Sequence, residues 1–155
     1  MIPRILIAVF ICLAAGFLSG LVTTNALETW YVTLNKPSFN PPNWLLGPVW
    51  TVLYIVMGIA AGMVWNKGTE NPEVRLALSA FIFQLGLNAL WSIIFFGMKN
   101  PGLALAENAL LWLSIGGCIY LFSRVSKPAA WLLLPYILWV SFAIVLNYFL
   151  WHLNR

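Results

Sequence analysis

Residues 5–27 read ILIAVFICLAAGFLSGLVTTNAL, an apolar run without a charged side chain. A helix of about 20 residues crosses the hydrocarbon core of a bilayer, so this run is long enough to span a membrane. Four more stretches between charged residues have a similar length, at 44–65, 76–98, 103–123 and 129–151, and the fourth span is interrupted near its start by Glu107. The pattern predicts an all-α integral membrane protein in which residues 1–155 form a single domain, a bundle of five transmembrane helices.

The composition excludes the surface of a soluble protein, because 62% of the residues are hydrophobic and only 8% are charged. An average soluble domain has roughly 25% charged residues. The net charge of +4 is spread over the ends of the spans, where basic side chains anchor helices at the membrane interface. The partner that this pattern indicates is the lipid bilayer, and no basic patch suggests a nucleic acid.

The first span also has the order of a signal peptide, since Arg4 precedes the apolar run and small residues follow within it. The apolar core of a signal peptide has only about 7–15 residues, fewer than the uncharged run 5–27. We therefore expect this segment to be retained as the first helix of the bundle.

The connection at residues 28–43 differs from the other loops, which are short. It combines rigid and aromatic residues, namely Trp30, Tyr31, Pro37, Phe39, Pro41 and Pro42. Exposed flexible loops rarely have this composition. Because prolines reduce the entropy lost when a loop is held in place, we predict an ordered lid over one end of the bundle.

Small residues recur at four-residue spacing on the first two helices, at Ala8, Cys12, Gly16 and Gly20 and at Gly58 and Gly62. Helices in lipid associate through such residues, because close approach of the backbones supplies dispersion energy. The two ridges predict contacts between helices of one subunit, with a dimer contact as the alternative.

Polar residues lie beside deep tryptophans on three of the helices. The sets are Gln84, Asn88 and Ser92 with Trp91, then Trp139, Ala143 and Asn147, and the pair Trp50 and Tyr54. A spacing of four places residues on one helix face, and amides inside a membrane cost free energy unless they find partners. We expect these faces to point inward around a cavity. The alternative is that Asn88 and Asn147 only join helices by hydrogen bonds.

Glu107 is the only acidic residue within a span, and it could reach the interface, pair with Lys99 or take part in a proton relay. The single histidine, His152, is expected to have an interfacial role. The chain has no Asp, no phosphate-binding glycine loop and no cluster of His and Cys. The sequence therefore predicts no catalytic residues, no metal site and no obligatory cofactor.

Several motifs follow one another along nearly the whole chain. They are WY at 30–31, KP at 36–37, PP at 41–42, GPVW at 47–50, LY at 53–54, Gln84, Asn88, Trp91, FFG at 95–97, PY at 135–136, Trp139, FA at 142–143 and LNY at 146–148. In this order they resemble the TspO/translocator protein family, also called the peripheral-type benzodiazepine receptor family.

The resemblance implies a five-helix bundle, usually a homodimer, that binds hydrophobic planar ligands beneath the first loop. The family's ligands include protoporphyrin IX, haem and related tetrapyrroles, isoquinoline carboxamides, benzodiazepines and, in animals, cholesterol. Carried onto this sequence, the ligand-binding residues are Tyr31, Trp50, Tyr54, Asn88, Trp91, Trp139, Phe142, Ala143 and Asn147. The lid residues are Trp30, Lys36, Pro37, Pro41 and Pro42, and Lys36 could pair with a propionate of the ligand.

The resemblance implies a membrane receptor or carrier for tetrapyrroles, in their transport, homeostasis or a stress response. The alternatives are light-dependent breakdown of porphyrin and transport of sterols or lipids. The family occupies bacterial membranes and mitochondrial outer membranes, and the short loops favour a bacterial one.

Two features depart from the family pattern. In the sterol motif of animal members a basic residue follows Leu and Tyr, but here His152 stands in its place after Leu146 and Tyr148. On the third helix, Ser79 and Phe83 occupy the positions of a small-residue dimer ridge.

Overall fold

The computed structural model describes residues 1–155 and contains helices but no strands. The helices are α1 (Ile2–Thr29), α2 (Asn43–Trp65), α3 (Pro72–Ser92), α4 (Pro101–Ser123), α5 (Lys127–Leu132) and α6 (Leu134–Leu153). The last two follow one another and together make the fifth crossing, so five segments are long and apolar enough to span a membrane. The predicted all-α bundle of five transmembrane helices is confirmed.

The short loops between helices end in residues that cap the next helix. The side chains of Asn71 and Asn100 accept hydrogen bonds from the backbone N–H groups of Glu73 and Leu103, and each asparagine precedes a proline. An N-cap acceptor satisfies a free N–H of the first turn, and proline at the first position loses no helical hydrogen bond. The helical hairpins therefore begin their second helices where the sequence has these turns.

Two departures from regular helix were not predicted. The fifth crossing is interrupted at Leu133, because Pro135 has no N–H to donate to the carbonyl of Trp131, four residues earlier. At the end of α3, residues Ile93–Gly97 form a π-helical turn in which the Met98 N–H donates to the Ile93 carbonyl at 2.8 Å. Such turns occur mostly as single bulges, often at functional sites.

The glycine ridge of α2 packs against α1 of the same chain. A Cβ at Gly58 would lie 2.5 Å from Cα of Val9, and one at Gly62 would lie 2.5 Å from Cα of Ile5. Only glycine allows the two backbones to approach this closely. The contact within one subunit is thus confirmed for this ridge, and the dimer contact was the wrong alternative for it.

The two chain termini lie at opposite ends of the bundle. Asn66, in the second loop, donates from its amide to the carbonyl of Met1 at 3.0 Å, whereas Asn154 near the C-terminus bonds to Asn35 in the first loop.

Ser79 is exposed on the outer side of α3. This side is accessible to lipid or to a second copy, and the homodimer stays a prediction.

Candidate functional site

A cavity of about 430 Å³ lies between the helices at the end of the bundle near the first loop. Small-molecule sites commonly have volumes of about 300–1,000 Å³ and mostly apolar walls. All nine residues proposed from the sequence line this one cavity: Tyr31, Trp50, Tyr54, Asn88, Trp91, Trp139, Phe142, Ala143 and Asn147. The structure therefore brings the predicted set together, while ligand binding by these residues stays a prediction.

Two walls of the cavity were missed by the sequence reasoning. Helix α1 contributes Leu13, Gly16, Phe17, Ser19, Gly20, Thr23, Thr24 and Leu27, and α4 contributes Asn108 and Leu111. The rule that intramembrane amides face inward would have found Asn108, since it applies to this residue as it does to Asn88. The small residues of α1 predicted contacts between helices, but Gly20 borders open space.

A chain of hydrogen bonds joins three helices at the inner end of the cavity. The Tyr54 hydroxyl donates to Asn88 Oδ1 at 2.6 Å, and Asn88 Nδ2 donates to the Tyr136 hydroxyl at 2.7 Å. The Tyr136 hydroxyl in turn donates to Gln84 Oε1 at 2.7 Å. The chain is buried and links α2, α3 and α6, so it fixes the positions of Tyr54 and Asn88 in the wall.

A second pair of bonds fixes the wall formed by α3 and α6. The Trp91 indole Nε1 donates to Asn147 Oδ1 at 3.0 Å, and Asn147 Nδ2 donates to the carbonyl of Pro101 at 2.9 Å. Trp91 also stacks on Phe95 from the π-helical turn, with centroids 5.0 Å apart. Both predicted asparagines, Asn88 and Asn147, therefore join helices by hydrogen bonds, which was the alternative to a role in the cavity. They line the cavity as well.

Two tryptophans of the wall keep free hydrogen-bond donors. The indole nitrogens of Trp91 and Trp112 donate hydrogen bonds within the protein, whereas those of Trp50 and Trp139 make none. Trp50 packs beside Tyr54 with ring centroids 5.7 Å apart, and Trp139 beside Phe142 at 5.5 Å. The arrangement offers flat aromatic surface together with N–H donors, which suits a planar apolar ligand carrying acceptor groups.

The cavity wall contains no charged side chain. Lys36, the lid residue that could pair with a propionate of the ligand, does not line the cavity. The Lys36 ammonium donates to the carbonyl of Leu34 at 3.1 Å and lies 4.9 Å from the centre of the Tyr31 ring. It is thus held on the outer part of the loop, and a ligand inside the cavity meets no positive charge.

Glu107 is buried on the inner side of α4, with 8% of its surface exposed. Neither carboxyl oxygen has a hydrogen-bond partner, and the single ion pair of the protein joins Arg124 to Glu73. The alternative in which Glu107 pairs with Lys99 is therefore wrong. Glu107 does not line the cavity, so it offers no charge to a ligand there.

The first loop is ordered by its own residues and by contacts to α6. The Tyr31 hydroxyl donates to Asn40 Oδ1 at 2.8 Å, and burial raises the pKa of this phenol, so that it keeps its proton. The backbone N–H of Asn35 donates to Asn154 Oδ1 at 2.8 Å, and Asn154 Nδ2 donates back to the Asn35 carbonyl at 2.8 Å. This reciprocal pair fastens the loop to the end of α6.

The five predicted lid residues support the loop without entering the cavity. Trp30 packs edge-on against Phe95, with centroids 5.5 Å apart. The other lid positions hold the backbone: the carbonyls of Pro37 and Pro41 accept hydrogen bonds from Asn40, and Pro42 is the N-cap of α2. Only Tyr31 of the loop residues 31–42 contacts the cavity.

The family model of the TspO/MBR family matches residues 8–152. The chain belongs to the TspO/MBR family. It is 46% identical over 144 residues to the "Tryptophan-rich protein TspO" of Chlorobaculum tepidum, covering 93% of this chain and 91% of that protein.

Two further relatives share a smaller fraction of identical residues. The "Tryptophan-rich protein TspO" of Archaeoglobus fulgidus is 40% identical over 153 residues, covering 99% of this chain and 98% of that protein. The "Translocator protein" of Bos taurus is 38% identical over 141 residues, covering 90% and 83%. Membership in the TspO/MBR family and the five apolar helices establish a multi-pass integral membrane protein.

In this TspO/MBR protein the cavity has an open side between α1 and α2. Five lining residues at that side are exposed, and we call the gap that they border the mouth: Phe17, Thr24, Asn43, Gly47 and Thr51. Phe17, near the middle of α1, is 68% exposed. Because both helices span the membrane, the mouth faces the bilayer.

The glycines of α1 and α2 explain why the helices separate there. Helices α1 and α2 are in tight contact at Gly58 and Gly62, away from the first loop. In contrast, nothing lies within 4 Å of a Cβ added at Gly20 or Gly47. The helices therefore diverge toward the first loop, and the mouth lies in the wider half.

The segment that corresponds to the sterol motif of animal TspO/MBR proteins is divided between two sides of α6. Leu146 lines the cavity, whereas Tyr148 is exposed and stacks on His152 with centroids 5.7 Å apart. Arg155 lies over the ring of Trp151, at 5.0 Å. The side chain of Arg155 is thus engaged with Trp151.

Replacing Tyr136 with phenylalanine tests the chain of hydrogen bonds. The change leaves a buried Asn88 N–H and the Gln84 carbonyl oxygen unpaired, which should lower the free energy of unfolding by about 1–3 kcal/mol. Thermal denaturation in one detergent gives the measurement. Tyr148→Phe is the control, because that hydroxyl is exposed, and equal melting temperatures for the two variants would contradict the role of the chain.

Proposed function

We propose that this protein is a membrane receptor or carrier for tetrapyrroles such as protoporphyrin IX and haem, and that it acts in their transport or homeostasis. The observation that carries the proposal is the uncharged cavity of about 430 Å³ with the rings of Trp50, Tyr54, Trp91 and Trp139 in its wall. Flat aromatic surfaces pack favourably on a conjugated macrocycle.

The names of relatives support the class of function. They include "Translocator protein" for the proteins of cattle and humans, and "Tryptophan-rich sensory protein" for that of Cereibacter sphaeroides. Both names describe proteins that respond to a molecule or move one. The polar groups of the wall point the same way, since its amide, indole and hydroxyl groups can orient a ligand by hydrogen bonds.

Binding can be tested by titrating protoporphyrin IX into the protein in lipid nanodiscs. The absorbance of the porphyrin is the appropriate signal, because variants that lack a tryptophan also lose fluorescence. Trp50→Ala and Trp139→Ala each remove an aromatic contact of about 0.5–1.5 kcal/mol, so we expect the Kd to rise about 2- to 12-fold.

Trp131→Ala is the matched control for these variants. Trp131 is 68% exposed and does not line the cavity, so its removal should leave the Kd unchanged. If all four proteins bind protoporphyrin IX with the same Kd, the ligand lies elsewhere and the proposal fails. The same holds if the wild-type protein does not bind it.

A further inference from the structure

Asn108 is the buried amide of the cavity wall that has no partner in the protein. It is 2% exposed and lines the cavity from α4, and its Nδ2 atom is fully enclosed without a hydrogen bond. A buried donor that loses water and gains no acceptor raises the free energy of the folded state. The other two buried amides of the wall, Asn88 and Asn147, both have partners, so the unpaired donor of Asn108 points to a ligand.

The two other asparagines deep in the wall contrast with it. Asn88 and Asn147 each accept one hydrogen bond at Oδ1 and donate one from Nδ2 to another part of the chain. Their amide orientations are thereby fixed. Asn108 makes no side-chain hydrogen bond, so its N–H groups are not committed to another part of the chain.

The position of Asn108 suits this task. It lies on the inner stripe of α4, which also includes Ala104, Leu111 and Ile115, all buried. Asn88 and Asn108 stand at similar distances in sequence from the turn at Lys99, so the hairpin of α3 and α4 places them at similar depth. The charged neighbour Glu107 is outside the cavity wall.

We propose that Asn108 determines the orientation of the bound ligand by donating a hydrogen bond to a carboxyl or carbonyl oxygen of that ligand. This inference rests on the proposed function and adds the group of the ligand that is recognised. The wall has no charged side chain, so the oxygen is recognised as an acceptor and not as an anion. A neutral ester should therefore serve as well as a free acid.

The test uses three porphyrins with the wild-type chain and Asn108→Leu in nanodiscs. Protoporphyrin IX carries two carboxyl groups, its dimethyl ester carries neutral carbonyl oxygens, and etioporphyrin carries no oxygen. Leucine has nearly the volume of asparagine without its polar atoms. We expect Asn108→Leu to weaken binding of the acid and of the ester by about fivefold each, and to leave etioporphyrin unchanged.

Two further measurements separate this result from a loss of structure. Asn108→Leu should melt at the same temperature as the wild-type protein without ligand, or higher, because it removes an unpaired buried donor. Leu111→Ala, in the same wall, changes shape but not hydrogen bonding, and should weaken all three porphyrins alike.

The outcomes are distinct. Equal loss of affinity for all three porphyrins in Asn108→Leu, or no loss for any of them, overturns the role of Asn108 while the proposed function stands. Binding of the acid but not of the ester by the wild-type chain overturns the neutral-acceptor mode. If the wild-type chain binds none of the three, the proposed function fails and this inference fails with it.

Discussion

Replacing Ala143 with phenylalanine is expected to weaken protoporphyrin IX binding more than any other single change in the cavity wall. Ala143 lies on α6 between Trp139 and Asn147 at four-residue spacing, and all three line the cavity. A phenyl ring there takes up volume that the ligand needs. Overpacking of this kind costs about 1–3 kcal/mol, which corresponds to roughly a 5- to 150-fold rise in the Kd.

The control for this variant is Val145→Phe on the same helix. Val145 is exposed to the bilayer, so the added ring should leave the Kd and the melting temperature unchanged. An Ala143→Phe protein that is folded, with a wild-type melting temperature, and binds protoporphyrin IX with the wild-type Kd would show that the ligand does not occupy this cavity.

A bulky residue at the mouth should slow ligand exchange without a matching loss of affinity. Gly47 is exposed at the edge of the mouth, and an added side chain there meets open space. We expect Gly47→Trp to lower the association and dissociation rate constants together by about tenfold, which corresponds to about 1.4 kcal/mol added to the entry barrier. Stopped-flow mixing of porphyrin-loaded vesicles with nanodiscs gives both rates.

Two comparisons identify the route of entry. Gly86→Trp places the same side chain on an exposed glycine of α3 outside the cavity, and its rates should equal those of the wild-type protein. Asn154→Ala removes the reciprocal hydrogen bonds that fasten the first loop. If Gly47→Trp exchanges ligand at the normal rate while Asn154→Ala exchanges it faster, entry runs under the loop and the mouth is not used.

The helices of the bundle could be predicted because their signal is long and simple. Long apolar stretches with at most one charged residue define the spans whatever their neighbours are, and helix formation in lipid satisfies the backbone without help from elsewhere. The interruption at Leu133 and the π-helical turn Ile93–Gly97 are local exceptions. Pro135 was a visible signal for the first, whereas nothing in IIFFG distinguishes a π-helical turn from an α-helical one.

The cavity could be predicted where polar residues share a helix face with aromatic ones. This applies to Asn88 and Asn147, and it fails for α1, whose contribution is made by Gly20 and other residues with small or apolar side chains. A glycine that borders open space looks the same in sequence as one that packs against a helix. The difference depends on how far the neighbouring helix has diverged.

Contacts between distant parts of the chain were beyond sequence reasoning. The prolines of the first loop indicated order, but the bonds that fasten it come from Asn154, more than a hundred residues later. The pairing of Glu107 with Lys99, one of three alternatives from the sequence, is absent for a similar reason. Nearness to the same loop says nothing about which way a helix turns its side chains, and Glu107 is turned inward.

The position of the mouth changes what is meant by the concentration of a ligand. A hydrophobic macrocycle dissolves in the bilayer far more readily than in water, and a site that opens sideways into the bilayer samples the dissolved pool directly. Occupancy then follows the mole fraction of ligand in the lipid. At a fixed total amount of porphyrin, adding empty vesicles should empty the site, as dilution with buffer does for a soluble receptor.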